Sequence, residues 1–234
     1  MNLFVSLLPY FKKINMRKRI YLLLILIILP FLLFSQRQQK VGLVLSGGGA
    51  KGLAHIGVIR ALEEENIPID YICGTSMGSI IAGLYAAGYS PDEMEDIFFS
   101  DDFEYWLSGK IQDKYKPYYR QKDNDESLLN ISLDVRNKFK ASLPMSLINP
   151  IQMDYAFMEI FASSTKVCND NFDSLMVPFF CVSTDVDDNK ASIRRQGDLG
   201  LAIRASMTFP FVFSPIKLDG KTMCDGGIYN NFPA

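Results

Sequence analysis

A single histidine in 234 residues leaves little room for a Ser-His-Asp triad or a histidine-built metal site. Cysteine is sparse as well: Cys73, Cys168, Cys181 and Cys224 show no C-x-x-C spacing, so no zinc or other metal centre is expected. Cys73, Cys181 and Cys224 sit in or beside apolar runs and read as small buried hydrophobes, with a disulfide open to them if the protein is exported. There is no basic excess. The formal net charge is -2, and residues 1–35 hold five of the 24 basic residues and no acid, leaving 19 basic against 26 acidic in the rest. An acidic body of this kind excludes nucleic acid as the expected partner and argues against electrostatic capture by anionic lipid. Internal repeats and low-complexity tracts are absent too. With 48% apolar and 21% charged residues, the chain has the composition of one globular domain.

Nor is there an apolar run long enough to cross a bilayer comfortably. The longest, Ile20 to Phe34, has 15 residues and contains Pro30. Preceded by Met16-Arg17-Lys18-Arg19 and followed by Ser35, it has the basic and apolar regions of a secretory signal. Residues 1–35 are therefore expected to be a signal peptide or an uncleaved N-terminal anchor. The protein would then be exported, with Met16 as a second possible start.

What is present is punctuated by glycine. Val41-Gly42-Leu43-Val44-Leu45 reads as a strand buried on both faces, and it runs into Ser46-Gly47-Gly48-Gly49-Ala50-Lys51-Gly52. Residues 53–65 then place Ile56, Ile59 and Leu62 on one helical stripe. A second apolar stretch, residues 67–72, enters Cys73-Gly74-Thr75-Ser76-Met77-Gly78, and residues 79–87 are helical again. This βαβα opening predicts an α/β fold.

Further along, Gly88 is expected to end the second helix, and Ser90-Pro91-Asp92-Glu93 to open a third. From residue 100 to 150 the pattern loosens into aromatics and scattered charge, either a lid over the site or an irregular connection. Asn149-Pro150 restarts a helix to about Phe161, and residues 176–184 form a buried strand. Asp185, Asp187 and Asp188 read as a solvated turn, without the glycine pivot of a calcium loop. A helix from Asp198 to about Met207 and a hairpin around Asp219-Gly220 lead to Asp225-Gly226-Gly227.

Gly74-Thr75-Ser76-Met77-Gly78 fits a nucleophile elbow. A serine sits on a sharp strand-to-helix turn, and glycines stand where two backbone segments approach too closely for a Cβ. The loop Gly47 to Gly52 admits three readings. A dinucleotide fingerprint would need an acid at the end of the second strand, where the elbow stands instead. A P-loop would need Ser or Thr after a Lys that here precedes the last glycine. An oxyanion hole, built from backbone N–H groups turned toward the neighbouring serine, accounts for both motifs together.

A serine needs a base. His55 lies upstream of Ser76, against the α/β-hydrolase order, and reads as a packed or surface histidine. The remaining candidate is Asp225, whose following glycines would allow close approach, although Asp-Gly-Gly alone is more often just a turn.

The order glycine loop, G-x-S-x-G, Asp-Gly-Gly resembles the patatin-like phospholipase family, in its bacterial exported type, from Lys40 to Ala234. That resemblance implies a three-layer α/β/α fold with a central mostly parallel sheet, carried on residues 36–234. It implies a serine lipid acyl hydrolase, a carboxylic ester hydrolase of phospholipase A type that needs no cofactor or metal. Residue by residue, Ser76 would be the nucleophile and Asp225 its partner and proton acceptor. The amides of Gly48 and Gly49, within the loop Gly47-Gly48-Gly49-Ala50-Lys51-Gly52, would bind the oxyanion. Gly74, Thr75, Met77 and Gly78 would complete the elbow, and Gly226 and Gly227 the acid motif. The expected partners are a phospholipid or other acyl-ester lipid and a membrane surface, in the periplasm, the outer membrane or at the cell surface of a bacterium. The family's sheet normally continues past the point where this chain stops, nine residues after Asp225, so the C-terminal end reads as incomplete. Some exported members carry a membrane barrel there. The alternative reading is a catalytically silent, patatin-shaped domain that binds membranes or rides as a passenger.

Overall fold

The structure, a computed structural model, describes residues 15–18, 20, 21, 24, 40–112, 130–134, 138–142 and 147–234. The chain divides into two compact units, Met1–Gln39 and Lys40–Ala234. In the first, the described residues from Met16 onward are helical. Most of the apolar run expected to act as a signal or anchor lies outside the described residues, among which no helix is long and apolar enough to cross a membrane.

The second unit opens with β1 (Gly42–Leu45), a 3-10 turn (Gly49–Leu53), α1 (Ala54–Glu64), β2 (Tyr71–Thr75) and α2 (Met77–Ala87). The βαβα order read from the sequence is present, but β2 starts at Tyr71 rather than at Ile67. Ile67-Pro68 precede it as an irregular segment with Ile67 exposed, because proline removes the N–H that a paired strand needs. α2 is buried around nearly its whole circumference, which its small and aliphatic side chains permit. Gly88 closes it at φ 104°.

α3 (Pro91–Phe98) carries a complete capping box, the Ser90 side chain to the Glu93 N–H and the Glu93 side chain to the Ser90 N–H. α4 (Asp101–Ser108) occupies ground that the sequence left irregular. It is capped by Ser100 and acidic in its first turn, and it packs Phe103 and Trp106 edge to face. Residues 113–129, which held much of the expected lid or connection, lie outside the described residues. β3 (Asn130–Asp134) and β4 (Lys138–Ser142) form a separate antiparallel pair.

α5 (Ile151–Val167) runs six residues past its expected end at Phe161. β5 (Phe179–Asp185), β6 (Lys190–Arg194), α6 (Leu199–Ser206), β7 (Ile216–Leu218) and β8 (Lys221–Asp225) complete the unit. The hairpin between β7 and β8 turns on Asp219 and Gly220, both at positive φ (53° and 79°), as such a tight turn requires. The acidic turn after β5 is less solvated than expected. Asp185 is buried and its carboxylate accepts from Lys221 Nζ at 2.8 Å, the pairing that a buried charge demands.

The fold is three-layer α/β/α, with a six-stranded mixed sheet of order β1-β2-β5-β8-β7 and β6 also on β5. β1, β2 and β5 are parallel. The core, with Ile72, Ile81, Leu84, Phe161, Phe172 and Phe179 among its members, is worth roughly 1.5–3 kcal/mol for each large apolar side chain it encloses. One detail of register decides the rest. β6 lines one edge of β5 from Cys181 to Asp185. β2 and β8 therefore share the other edge, β2 along Phe179 to Val182 and β8, antiparallel, along Ser183 to Asp185. Their C-terminal ends meet head to head, Thr75 opposite Val182 and Asp225 opposite Ser183.

Candidate active site

Ser76 is the one-residue joint between β2 and α2, with φ 54° and ψ −125°. A side chain in that conformation costs on the order of 1–3 kcal/mol, and such strain persists only where the surroundings impose it. Here they do. A Cβ on Gly74 would lie 2.3 Å from the Gly78 carbonyl oxygen, and one on Gly78 would lie 2.4 Å from the Leu45 carbonyl oxygen. The strand, the helix and β1 are thus pressed together, and the serine side chain is turned outward. Thr75 and Met77, the other elbow residues, are buried; Thr75 Oγ1 donates to the Asn230 carbonyl at 3.0 Å.

The head-on meeting of β2 and β8 brings Asp225 to this joint. Ser76 Oγ donates to Asp225 Oδ2 at 2.6 Å, across 149 residues of sequence. The other carboxylate oxygen accepts from the Gly227 N–H at 2.7 Å. Gly226 has no space for a side chain, since its Cβ would stand 2.1 Å from the Val182 carbonyl oxygen. Asp225 is 3% exposed. Burial pushes its carboxyl above the usual carboxylate range, and the hydrogen bonds from Ser76 and Gly227 pull it partway back. A carboxylate raised in this way is a better proton acceptor for a hydroxyl than an exposed one.

The glycine loop closes the third side. A Cβ on Gly47 would lie 2.9 Å from Ser76 Cβ, and one on Gly52 would lie 2.6 Å from Met77 Cγ. Between these two anchors Gly48, Gly49, Ala50 and Lys51 form an exposed crest. Gly47 is held by Asn231, whose backbone carbonyl accepts the Gly47 N–H at 3.3 Å. His55 is more than a packing residue: its Nε2 donates to the Ser46 carbonyl at 3.0 Å, tying α1 to the start of the loop.

Four contributors are not apparent from motif spacing. Ser206 Oγ accepts the Ser76 N–H at 3.0 Å, the Thr208 carbonyl accepts the Asp225 N–H at 2.7 Å, Thr184 Oγ1 donates to the Asp225 carbonyl at 2.9 Å, and Asn231 holds Gly47. All four act through long-range hydrogen bonds, which leave no periodic signal. Cysteine offers no rival nucleophile nearby. All four cysteines are free and buried, and burial pushes the Cys73 thiol up to about 11, too high for a thiolate at neutral pH. Among the described residues no cluster of three or more His, Cys, Asp or Glu side chains is placed to hold a metal ion.

Comparisons with known proteins bear on the family and the fold. The family model for patatin-like phospholipase matches residues 43–234. The chain is 34% identical over 198 residues to a patatin-like phospholipase domain-containing protein, ZK370.4, of Caenorhabditis elegans, covering 84% of this chain and 12% of that protein. It is 30% identical over 195 residues to lysophospholipase NTE1 of Debaryomyces hansenii, covering 83% of this chain and 11% of that protein. Both relatives are eukaryotic, and the chain spans about one eighth of their length. Among solved structures, VipD from Legionella pneumophila shares the fold with a TM-score of 0.51 at 15% identity, over 83% of this chain and 47% of that one. A family match over that span, together with a relative of this identity, shows that the chain belongs to the patatin-like phospholipase family.

Proposed function

We propose that the protein is a serine lipid acyl hydrolase of phospholipase A type, with Ser76 and Asp225 as its catalytic dyad. The observation that carries the reading is the 2.6 Å hydrogen bond from the Ser76 hydroxyl to a buried carboxylate, made at a joint whose backbone is strained. Ser76 Oγ attacks the ester carbonyl carbon while its proton passes to Asp225. Negative charge then develops on the carbonyl oxygen beside the glycine loop. The N–H groups of Gly48 and Gly49 stabilise it there, each such donor being worth on the order of 2.7–4 kcal/mol. The intermediate collapses and the alcohol or lysolipid leaves with the proton from Asp225. Water then attacks the acyl-serine with Asp225 again accepting a proton, and collapse of the second intermediate releases the fatty acid as Ser76 Oγ takes that proton back.

Two features support a lipid substrate. Both relatives carry phospholipase in their names, and exposed apolar side chains stand on the two segments bonded to or following Asp225. Phe209 and Phe211 follow Thr208, whose carbonyl holds Asp225, while Ile228, Tyr229 and Phe232 follow the acid motif. Phe211 is 81% exposed and sits at φ 69°, a strained position that contributes little to the core. An apolar margin of this kind suits contact with acyl chains or a membrane surface better than contact with water.

Fluorophosphonate labelling of the intact chain, with mapping of the adduct and an assay of fatty-acid release from a lysophospholipid, tests the proposal. Labelling at Ser76 together with acid release is expected. A folded protein that takes no label would instead favour a silent membrane-binding domain. Export of the bacterial type rests on residues 16–35 alone. A mature N-terminus near Gln36, found by sequencing the protein from its native host, is expected, and one at Met1 or Met16 would count against a cleaved signal.

A further inference from the structure

We propose that Ser206–Thr208, at the C-terminal end of α6, is the positioning clamp of the dyad: Ser206 fixes the backbone of Ser76 and Thr208 fixes that of Asp225. The inference builds on the dyad reading above. The roles in the first contact are unambiguous, because a hydroxyl has one proton. Ser206 Oγ gives its proton to the Val182 carbonyl at 2.6 Å, so the oxygen that faces the Ser76 N–H at 3.0 Å can only accept. Val182 is the β5 residue opposite Thr75. One buried hydroxyl therefore ties the strained joint to the central strand at the point where β2 ends. Two residues on, the Thr208 carbonyl accepts the Asp225 N–H at 2.7 Å, at the point where β8 ends. Both strand ends thus hang from the same short segment, and its two peptide units set the spacing between the backbones of nucleophile and base.

The segment is itself braced from behind. Arg204 is 1% exposed. Its Nε donates to Asp154 Oδ1 on α5 at 2.6 Å, its Nη1 donates to Thr208 Oγ1, and its guanidinium lies 5.2 Å from the centre of the Phe213 ring. Thr208 Oγ1 in turn donates to the Arg204 carbonyl at 2.6 Å. A dyad without histidine has no third side chain to orient its base, so geometry must come from the backbone. Removing the Ser206 hydroxyl leaves the part-buried Ser76 N–H without its acceptor at a residue held at φ 54°, and the serine relaxes away from Asp225.

The test uses the intact chain carrying Ser206→Ala, with Ser206→Thr as the variant that keeps a hydroxyl and Phe161→Leu as a comparator that weakens the core away from the dyad. Misplacing a reacting group by about 1 Å costs about 100-fold in rate. Ser206→Ala is expected to label with fluorophosphonate, and to turn over a short soluble ester, about 10- to 100-fold more slowly at unchanged KM. Ser206→Thr should label faster than Ser206→Ala, and Phe161→Leu at the wild-type rate despite a lower melting temperature. Should Ser206→Ala not fold, Ser206→Cys, whose thiol is only a weak acceptor for the Ser76 N–H, takes its place with the same expected loss and the same overturning results. Wild-type labelling by Ser206→Ala would overturn the clamp while leaving the dyad intact, as would an equal loss in Phe161→Leu. A wild-type protein that does not label would remove the dyad reading itself, and the clamp with it.

Discussion

Ser76→Ala is expected to reduce ester hydrolysis by a factor on the order of 10^4 or more, and Ser76→Gly equally, because among the described residues no other hydroxyl is placed against the Asp225 carboxylate to replace it. Stability should move differently in the two variants. Alanine keeps the Cβ and hence the strain of φ 54°, whereas glycine enters that region freely. Ser76→Gly should therefore unfold later in urea than Ser76→Ala, by about 1 kcal/mol after the extra chain entropy of glycine is offset against the relieved strain. Residual hydrolysis within 100-fold of wild type in either variant would dismiss Ser76 as nucleophile. Equal unfolding midpoints would mean that the elbow stores no strain.

Asp225→Asn should lower turnover by about 10^3, the loss expected when a general base disappears, without lowering stability at neutral pH. The sign follows from burial, which raises the Asp225 carboxyl above its ordinary range in the folded protein. The folded state then holds the proton more tightly than the unfolded chain does. At neutral pH the ionised carboxylate weighs against folding, and that burden lifts as pH falls through the raised value. Asparagine carries no such burden, and its Oδ1 can still accept the Gly227 N–H. The variant should melt at or above the wild-type temperature at neutral pH, with the gap closing in acid. Wild-type activity should show the complementary profile, with an acid limb centred above the value of an ordinary aspartate. Melting curves and kcat/KM across pH check both statements. A variant that melts well below wild type at neutral pH, or an acid limb at the ordinary position, would contradict them.

The elbow was legible in the sequence because its requirements are local. Two glycines four residues apart around a serine, after an apolar strand and before an apolar helix, state their geometry within eight residues. The hairpin at Asp219-Gly220 and the capping box at Ser90 are legible for the same reason. Where a strand's start depends on its partner, the reading slipped: Ile67 looks like strand but finds no pairing, and β2 begins at Tyr71 where β1 runs alongside. α4 leaves little trace in the sequence because its eight residues are charged and aromatic in equal measure, so its helix owes more to the Ser100 cap and to packing than to any apolar stripe. Asp185 looks solvated from the sequence because the lysine that neutralises it lies 36 residues away. Ser76 and Asp225 could be named from their motifs, but the strand edge that brings them together could not. Their meeting depends on which side of β5 each strand occupies, a choice that no local pattern records.

That shared edge also bears on the order of events during synthesis. A ribosome delivers β1, β2, α2 and β5 long before β8, and contacts this distant in sequence are the slowest to form. Until β8 docks beside Ser183, the growing chain displays a bent serine with no proton acceptor opposite it. On the proposed function, a nascent chain of this design stays harmless to the membranes around it until β8 falls into place.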